Sequence, residues 1–200
     1  MVAASIADKT VTLVKDTAGN LPLRPETHRR IRLYGITGEP DFTGTDQTGY
    51  LRIVQEELEQ AGFEVHVFKT AQQRIAEGET GVNFHSMVQS EANAAYPETY
   101  DAAIIVANVK GFAQEGVIRI KWSTAMSPEI PWYATEVPTV FVSLSLPNHL
   151  IDVPMVKTLI NAHAPSREVI RAVVEKLQGK SPFRGTFNEN VFCDTFGTRL

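Results

Sequence analysis

Apolar positions recur along this chain in two rhythms, one of period two or unbroken, the other at spacings of three and four. Their alternation predicts alternating strands and helices. Residues 5–14 (SIADKTVTLV) read as the end of a helix running into a short strand that carries Val11, Leu13 and Val14. A Gly19-Asn20 turn and a buried Leu21-Pro22-Leu23 follow. Residues 31–34 form the first strong strand, ending at Gly35-Ile36-Thr37-Gly38. Residues 50–62 read as a helix with Leu51, Val54, Leu58 and Ala61 on one face, stopped by Gly62. Residues 63–68 alternate with period two, as a strand with one wetter face does. The polar stretch 69–83 suggests a loop or short helix. Residues 84–95 predict a helix with Phe84, Met87, Val88 and Ala92 inward.

The second half is more apolar. Residues 102–107 (AAIIVA) form an unbroken apolar run, the signature of a central parallel strand covered on both faces. Residues 108–137 lack a clean period and predict an ordered excursion with some helix. Two further buried strands are expected at 139–144 and 158–162. The clearest helix is 166–178: Ser166 can cap it, Val169, Ile170, Val173, Val174 and Leu177 line one face, and Gly179 ends it. The aromatic-rich tail, 180–200, is too apolar to be free and is expected to pack back on the body. The alternation implies one α/β domain over 1–200: a three-layer sandwich around a mostly parallel sheet of five or six strands, flavodoxin-like in general layout.

Composition narrows the function classes. The 200 residues carry a net charge of −4, so there is no basic footprint for nucleic acid or an anionic membrane. The most basic stretch, Arg24 to Arg32, reads as a solvated loop leading into a strand. The single cysteine, Cys193, excludes an intrachain disulfide and a cysteine-based zinc site. No leader pattern opens the chain, and no apolar run approaches the ~18 residues of a membrane-spanning helix. A soluble protein, cytoplasmic or secreted, is expected. The chain opens as though in the middle of a larger architecture.

The candidate chemistry is sparse. Gly35-Ile36-Thr37-Gly38 follows a strand, as a phosphate loop would, but lacks a third glycine, a Lys-Ser/Thr pair and an immediate helix. The five histidines form no metal-binding spacing, although His149, Asp152 and His163 can meet at neighbouring strand ends. Ser143 and Ser145 lack the strand-to-helix elbow of a serine hydrolase. Glu115, in the segment that follows the central strand, lies where open α/β sheets place their ligands. It can serve as an acid, as a sugar hydrogen-bond acceptor, or as the partner of Lys110 or Arg119. Trp122, Trp132 and Tyr133 can stack on sugar faces or fill a core.

Two blocks carry a resemblance. Residues 5–23 (SIADKTVTLVKDTAGNLPL) look like the segment that opens the second domain of glycoside hydrolase family 3 enzymes. Residues 138–165 (PTVFVSLSLPNHLIDVPMVKTLINAHAP), with the following helix and the GKSPFRG of 179–185, repeat that domain's order of elements. The segment 108–133 is similar to the β-N-acetylhexosaminidase-like branch. Pro147-Asn148-His149 stands where the family usually has Gly-Asn-Pro. The resemblance implies an α/β sandwich packed on an N-terminal (β/α)8 barrel. In the family the barrel supplies the nucleophilic Asp, and in this branch also an Asp-His acid/base pair. A barrel of ~250 residues has no room here, so neither is expected in the chain.

The expected function is therefore that of a non-catalytic or accessory C-terminal domain of an exo-acting glycosidase, inactive on its own. Its partners would be the barrel and a carbohydrate substrate, with no nucleic acid, membrane, cofactor or metal. No catalytic residue is expected, Glu115 being the candidate by position; Asn108, Trp122 and His149 are the candidate substrate contacts. Two alternatives stay open: a stand-alone carbohydrate-binding or protein-interaction module, and a small flavodoxin-like enzyme or regulator resting on the Gly35–Gly38 loop.

Overall fold

A computed structural model of the chain describes residues 2–38, 48–83, 95–110, 118–123 and 127–191. Its centre is a six-stranded sheet in the order β1-β6-β5-β4-β2-β3. The strands are β1 (Thr12–Asp16), β2 (Arg30–Thr37), β3 (Glu64–Val67), β4 (Ala102–Asn108), β5 (Thr139–Ser143) and β6 (Thr158–Asn161). Only β1 runs antiparallel, against β6; the other neighbours are parallel. The two strands that read as unbroken apolar runs, β4 and β5, lie inside the sheet and are buried at every position. The alternating β3 lies at the edge, where one side meets solvent.

One face of the sheet is covered by three helices: α1 (Val2–Thr10), α2 (Gly49–Gln60) and the last helix, α5 (Arg167–Leu177). Their apolar stripes bury Val54, Leu58, Ile170, Val173 and Leu177 against Ile104, Val106, Val142 and Ile160. The chain signals act as the sequence implies. Ser166 accepts the Val169 amide at the start of α5, and Gly62 and Gly179 take φ of +100° and +72° just past α2 and α5. Glu57 of α2 is buried yet faces α5, where Arg167 and Arg171 both donate to its carboxylate. Deeper still, the fully buried Lys176 donates to Asp8 of α1 (2.6 Å), to Ser181 Oγ (3.2 Å) and to the Pro182 carbonyl (2.8 Å).

The opposite face is built differently. Short α3 (Ala71–Ala76) follows the edge strand β3, and α4 (Tyr96–Thr99), the 3-10 turns Trp132–Thr135 and His149–Ile151, and irregular chain cover this face. Large rings fill the space that a long helix would otherwise occupy. Tyr34 stacks on Tyr133 (4.5 Å between centroids), and Tyr133 stacks on Tyr96 (5.3 Å). Arg32 lies 5.0 Å from the Tyr100 ring and 5.4 Å from that of Phe68.

The opening block is held by one carboxylate. Asp16, at the end of β1, accepts the amides of Asn20 (2.9 Å) and Leu21 (3.2 Å) and the Thr158 hydroxyl (2.7 Å). The turn thereby brings Leu23, fully buried, under α5, where its amide donates to the Leu177 carbonyl at 2.8 Å. The described part of the tail, 180–191, returns along the β1 edge, where Gly185 bridges Thr12; residues 192–200 lie outside those described. The expected strand at 158–162 ends at Asn161, and the strand that begins at Arg30 runs through Gly35 to Thr37. The expected helix over 84–95 falls on residues 84–94, outside those described.

Candidate functional site at the carboxyl edge of the sheet

The four parallel central strands end on a polar residue at one edge of the sheet. Thr37 of β2 is in register with Asn108 of β4, and Ser143 of β5 with Asn161 of β6. Asn108, Ser143 and Asn161 are all nearly inaccessible, at 3%, 1% and 1% exposure. Strands that are apolar along their length and polar only at their carboxyl ends mark where open α/β sheets bind ligands.

Two of these ends, Thr37 and Ser143, are tied to neighbours. The Tyr50 hydroxyl, at the start of α2, donates to the Ile36 carbonyl (3.0 Å) and meets Thr37 Oγ1 at 3.2 Å. Burial pushes the Tyr50 phenol up to about 12, so it stays a neutral donor. Ser143 Oγ donates to the Leu146 carbonyl (2.6 Å) and Ser145 Oγ to that of Val109 (2.5 Å). Gly35, part of the suspected phosphate loop, lies inside β2. A Cβ there would come within 2.8 Å of Leu51 Cδ2, so the glycine answers to close packing of α2 on the strand.

The loop leaving β5 carries the site's charged group. His149 is fully buried, its ring edge-on to Phe141 with centroids 6.0 Å apart. Its Nδ1 meets Asp152 Oδ2 at 3.0 Å. Arg119 Nε donates to the other carboxylate oxygen, and the Ile120 amide approaches Oδ2 at 3.4 Å. Burial raises the Asp152 carboxyl, but the bonds from His149 and Arg119 outweigh it and hold the group below the usual carboxylate range. Asp152 is therefore a committed carboxylate that binds the 118–120 strip to the β5–β6 loop. Asn148 Nδ2 reaches the Ile118 carbonyl at 3.5 Å along the same seam.

The sequence candidates fall as follows. Asn108 ends β4 at this edge, and His149 lies beside the end of β5 with Asp152 as its partner. His163, two residues past β6, takes a positive φ of 66° and is not brought to His149 by any hydrogen bond. Trp122 is half-buried against the tyrosine-rich core, and Trp132 and Tyr133 are members of that core; Tyr133 is wholly enclosed. Glu115 lies outside the described residues. Asn148 entered the sequence reading only within Pro147-Asn148-His149 and Asn161 only as a strand residue, neither as a candidate contact. The signal that could have found Asn161 is shared with Asn108: an apolar strand that stops abruptly at asparagine. Among the described residues, no group of three or more His, Cys, Asp or Glu is placed to hold a metal ion.

No family model matches the chain. Over 200 residues it is 33% identical to a beta-N-acetylglucosaminidase/beta-glucosidase of Cellulomonas fimi, matching 99% of this chain but 33% of that protein. Two structures of the beta-glucoside phosphorylase BglX are similar. One, bound to 2FGlc, is 36% identical over 92% of this chain and 30% of its own, with a TM-score of 0.70. The other is 33% identical over 98% and 32%, at 0.72. A glycoside hydrolase family 3 beta-N-acetylglucosaminidase from Paenibacillus sp. str. FPU-7 shares the fold at a TM-score of 0.57 and 17% identity. The chain thus spans about a third of the length of the relatives it matches. In sequence and fold the chain is therefore a counterpart of about a third of these enzymes, the part that forms the C-terminal α/β sandwich domain in glycoside hydrolase family 3.

Proposed function

We propose that this chain is the accessory sandwich of an exo-acting glycosidase of the β-N-acetylglucosaminidase/β-glucosidase kind. It packs on a (β/α)8 barrel and helps to wall the sugar site with its carboxyl edge. One observation carries the reading: essentially the whole chain aligns with one third of a sugar-cleaving enzyme. The edge chemistry supports it. Glycoside cleavage uses an acid and a nucleophile or base across one bond. The described edge offers amides and hydroxyls, and its carboxylate, Asp152, is already engaged by His149 and Arg119. Such groups bind and orient hydroxyls rather than break bonds. Asn108, Trp122 and His149 remain the proposed contacts on this side, with Glu115 the proposed acid should the chain supply one.

The BglX matches favour a second reading, in which the parent transfers the sugar to phosphate rather than to water. The two share the same architectural role for this chain. The test is assembly in trans. The other two thirds of the Cellulomonas fimi relative, expressed separately, should form a saturable complex with this chain, with slowed amide exchange at the ends of β2, β4, β5 and β6. A folded partner that neither binds nor protects that edge would refute the role. Adding phosphate to an active complex then separates hydrolysis from phosphorolysis.

A further inference from the structure

Four polar atoms at the carboxyl end of β5–β6 are buried without any hydrogen-bond partner: His149 Nε2, Asn148 Oδ1, and both Oδ1 and Nδ2 of Asn161. The His149 ring and the Asn161 side chain lie on one face of the sheet, and Asn148 precedes His149 in the β5–β6 loop. The His149 ring packs on Phe141, which is in register with Leu159. Asn161 lies two residues beyond Leu159, so strand alternation puts it on the same side. Leaving such a group dry costs it the hydrogen bonds it had in water. Native proteins meet that cost with a bound polar guest far more often than they bear it.

The local bonds dictate what the guest must be. The Asp152 carboxylate can accept only from a protonated His149 Nδ1, and in the Nδ1–H tautomer that this bond selects Nε2 is a bare lone pair. Asn148 uses its Nδ2 on Ile118, which leaves Oδ1 as a second acceptor. Asn161 offers one further acceptor and an N–H donor. The site is acceptor-rich, and phosphate, sulfate or carboxylate would meet lone pairs with lone pairs. A group that donates twice and accepts once or more fits.

We propose that His149, Asn148 and Asn161 form a buried hydroxyl-binding site that takes one water molecule or a vicinal pair of hydroxyls on a polyol. This holds whether or not the parent is a glycosidase. Asp152 and Arg119 are positioning residues, fixing the histidine tautomer and the loop around it.

The test is a high-resolution crystal structure of the whole chain, with and without methyl β-glucoside. The expected result is an oxygen at ~2.6–3.2 Å from His149 Nε2 and from Asn148 Oδ1 or an Asn161 amide atom. A peak in sugar-free crystals identifies water as the occupant; one that appears only with the glucoside identifies the diol. A site with no oxygen in either crystal overturns the proposal, as does an inorganic anion seated there. In solution, N161L should lower Tm by several degrees, because it strands the guest's hydrogen bonds. An unchanged or raised Tm would show that the asparagine had been dry and dispensable. Nitrogen NMR of the wild-type imidazole gives a separate reading: His149 is expected as the Nδ1–H tautomer with Nε2 accepting a hydrogen bond.

Discussion

The fully enclosed Lys176 ammonium shows how single residues join distant parts of this chain: it draws Asp8 of α1, Ser181 and Pro182 to one point. Removing one partner of a buried ion pair leaves the other charge uncompensated. Here Ser181 and Pro182 remain, so D8A should cost about 2–3 kcal/mol, read as a lower urea midpoint at unchanged slope. Glu57 gives a pH signature. Hydrogen bonds from Arg171 and then Arg167 hold its carboxyl below its ordinary value of about 4.5, against the opposing effect of burial. A depressed folded-state value stabilises the protein above that pH, and the contribution drains away as pH falls through the folded value. E57Q should therefore lower stability at pH 7 by about 1 kcal/mol, the arginines being partly exposed. The Tm gap between wild type and E57Q should close as pH is lowered below about 4. A gap that stays constant from pH 7 to 3 would mean that the charge contributes nothing.

At the level of elements, the tail is a strap that seals the outer strand. A Cβ on Gly185 would lie 2.4 Å from Thr12 Cγ2 and 2.9 Å from the Lys9 carbonyl oxygen. G185A must push the tail off β1, baring an edge that native sheets keep covered. Faster proteolytic cleavage between 179 and 191 and a Tm lowered by ~3–6 °C are expected. Adding T12S should recover only part of the loss, because the Lys9 carbonyl still blocks the methyl. Elements with one stripe and a glycine stop, such as α2 and α5, were legible from sequence because burial on one face alone determines them. The unbroken runs of β4 and β5 were legible for the same reason. The second face was not. Its cover is a stack of tyrosines from three separate segments, Tyr34, Tyr96 and Tyr133. Long-range ring contacts leave no local period. The same blindness affected the edge site: His149, Asp152 and His163 were expected together at neighbouring strand ends, of which His149 and Asp152 pair, but Asn161 needs the β5–β6 register before it becomes a neighbour.

At the scale of the whole molecule, the division of labour follows from the two unlike faces. The helical face is sealed by apolar stripes and ion pairs. The other face and the carboxyl edge are held by loops, rings, hydroxyl and amide hydrogen bonds and the Asp152 carboxylate, the kind of surface that adapts to a partner or substrate. No helix among the described residues is long and apolar enough to cross a membrane. The relatives it matches are about three times the length of this chain. The central claim, that this sandwich shapes a sugar site without completing it, is tested most directly by a turnover assay. The purified 200-residue chain is incubated with chromogenic N-acetyl-β-glucosaminide and β-glucoside, with and without phosphate. Release of chromophore no faster than in buffer is the predicted result. Steady turnover that disappears in E115Q would show that the chain carries its own acid and would contradict the account.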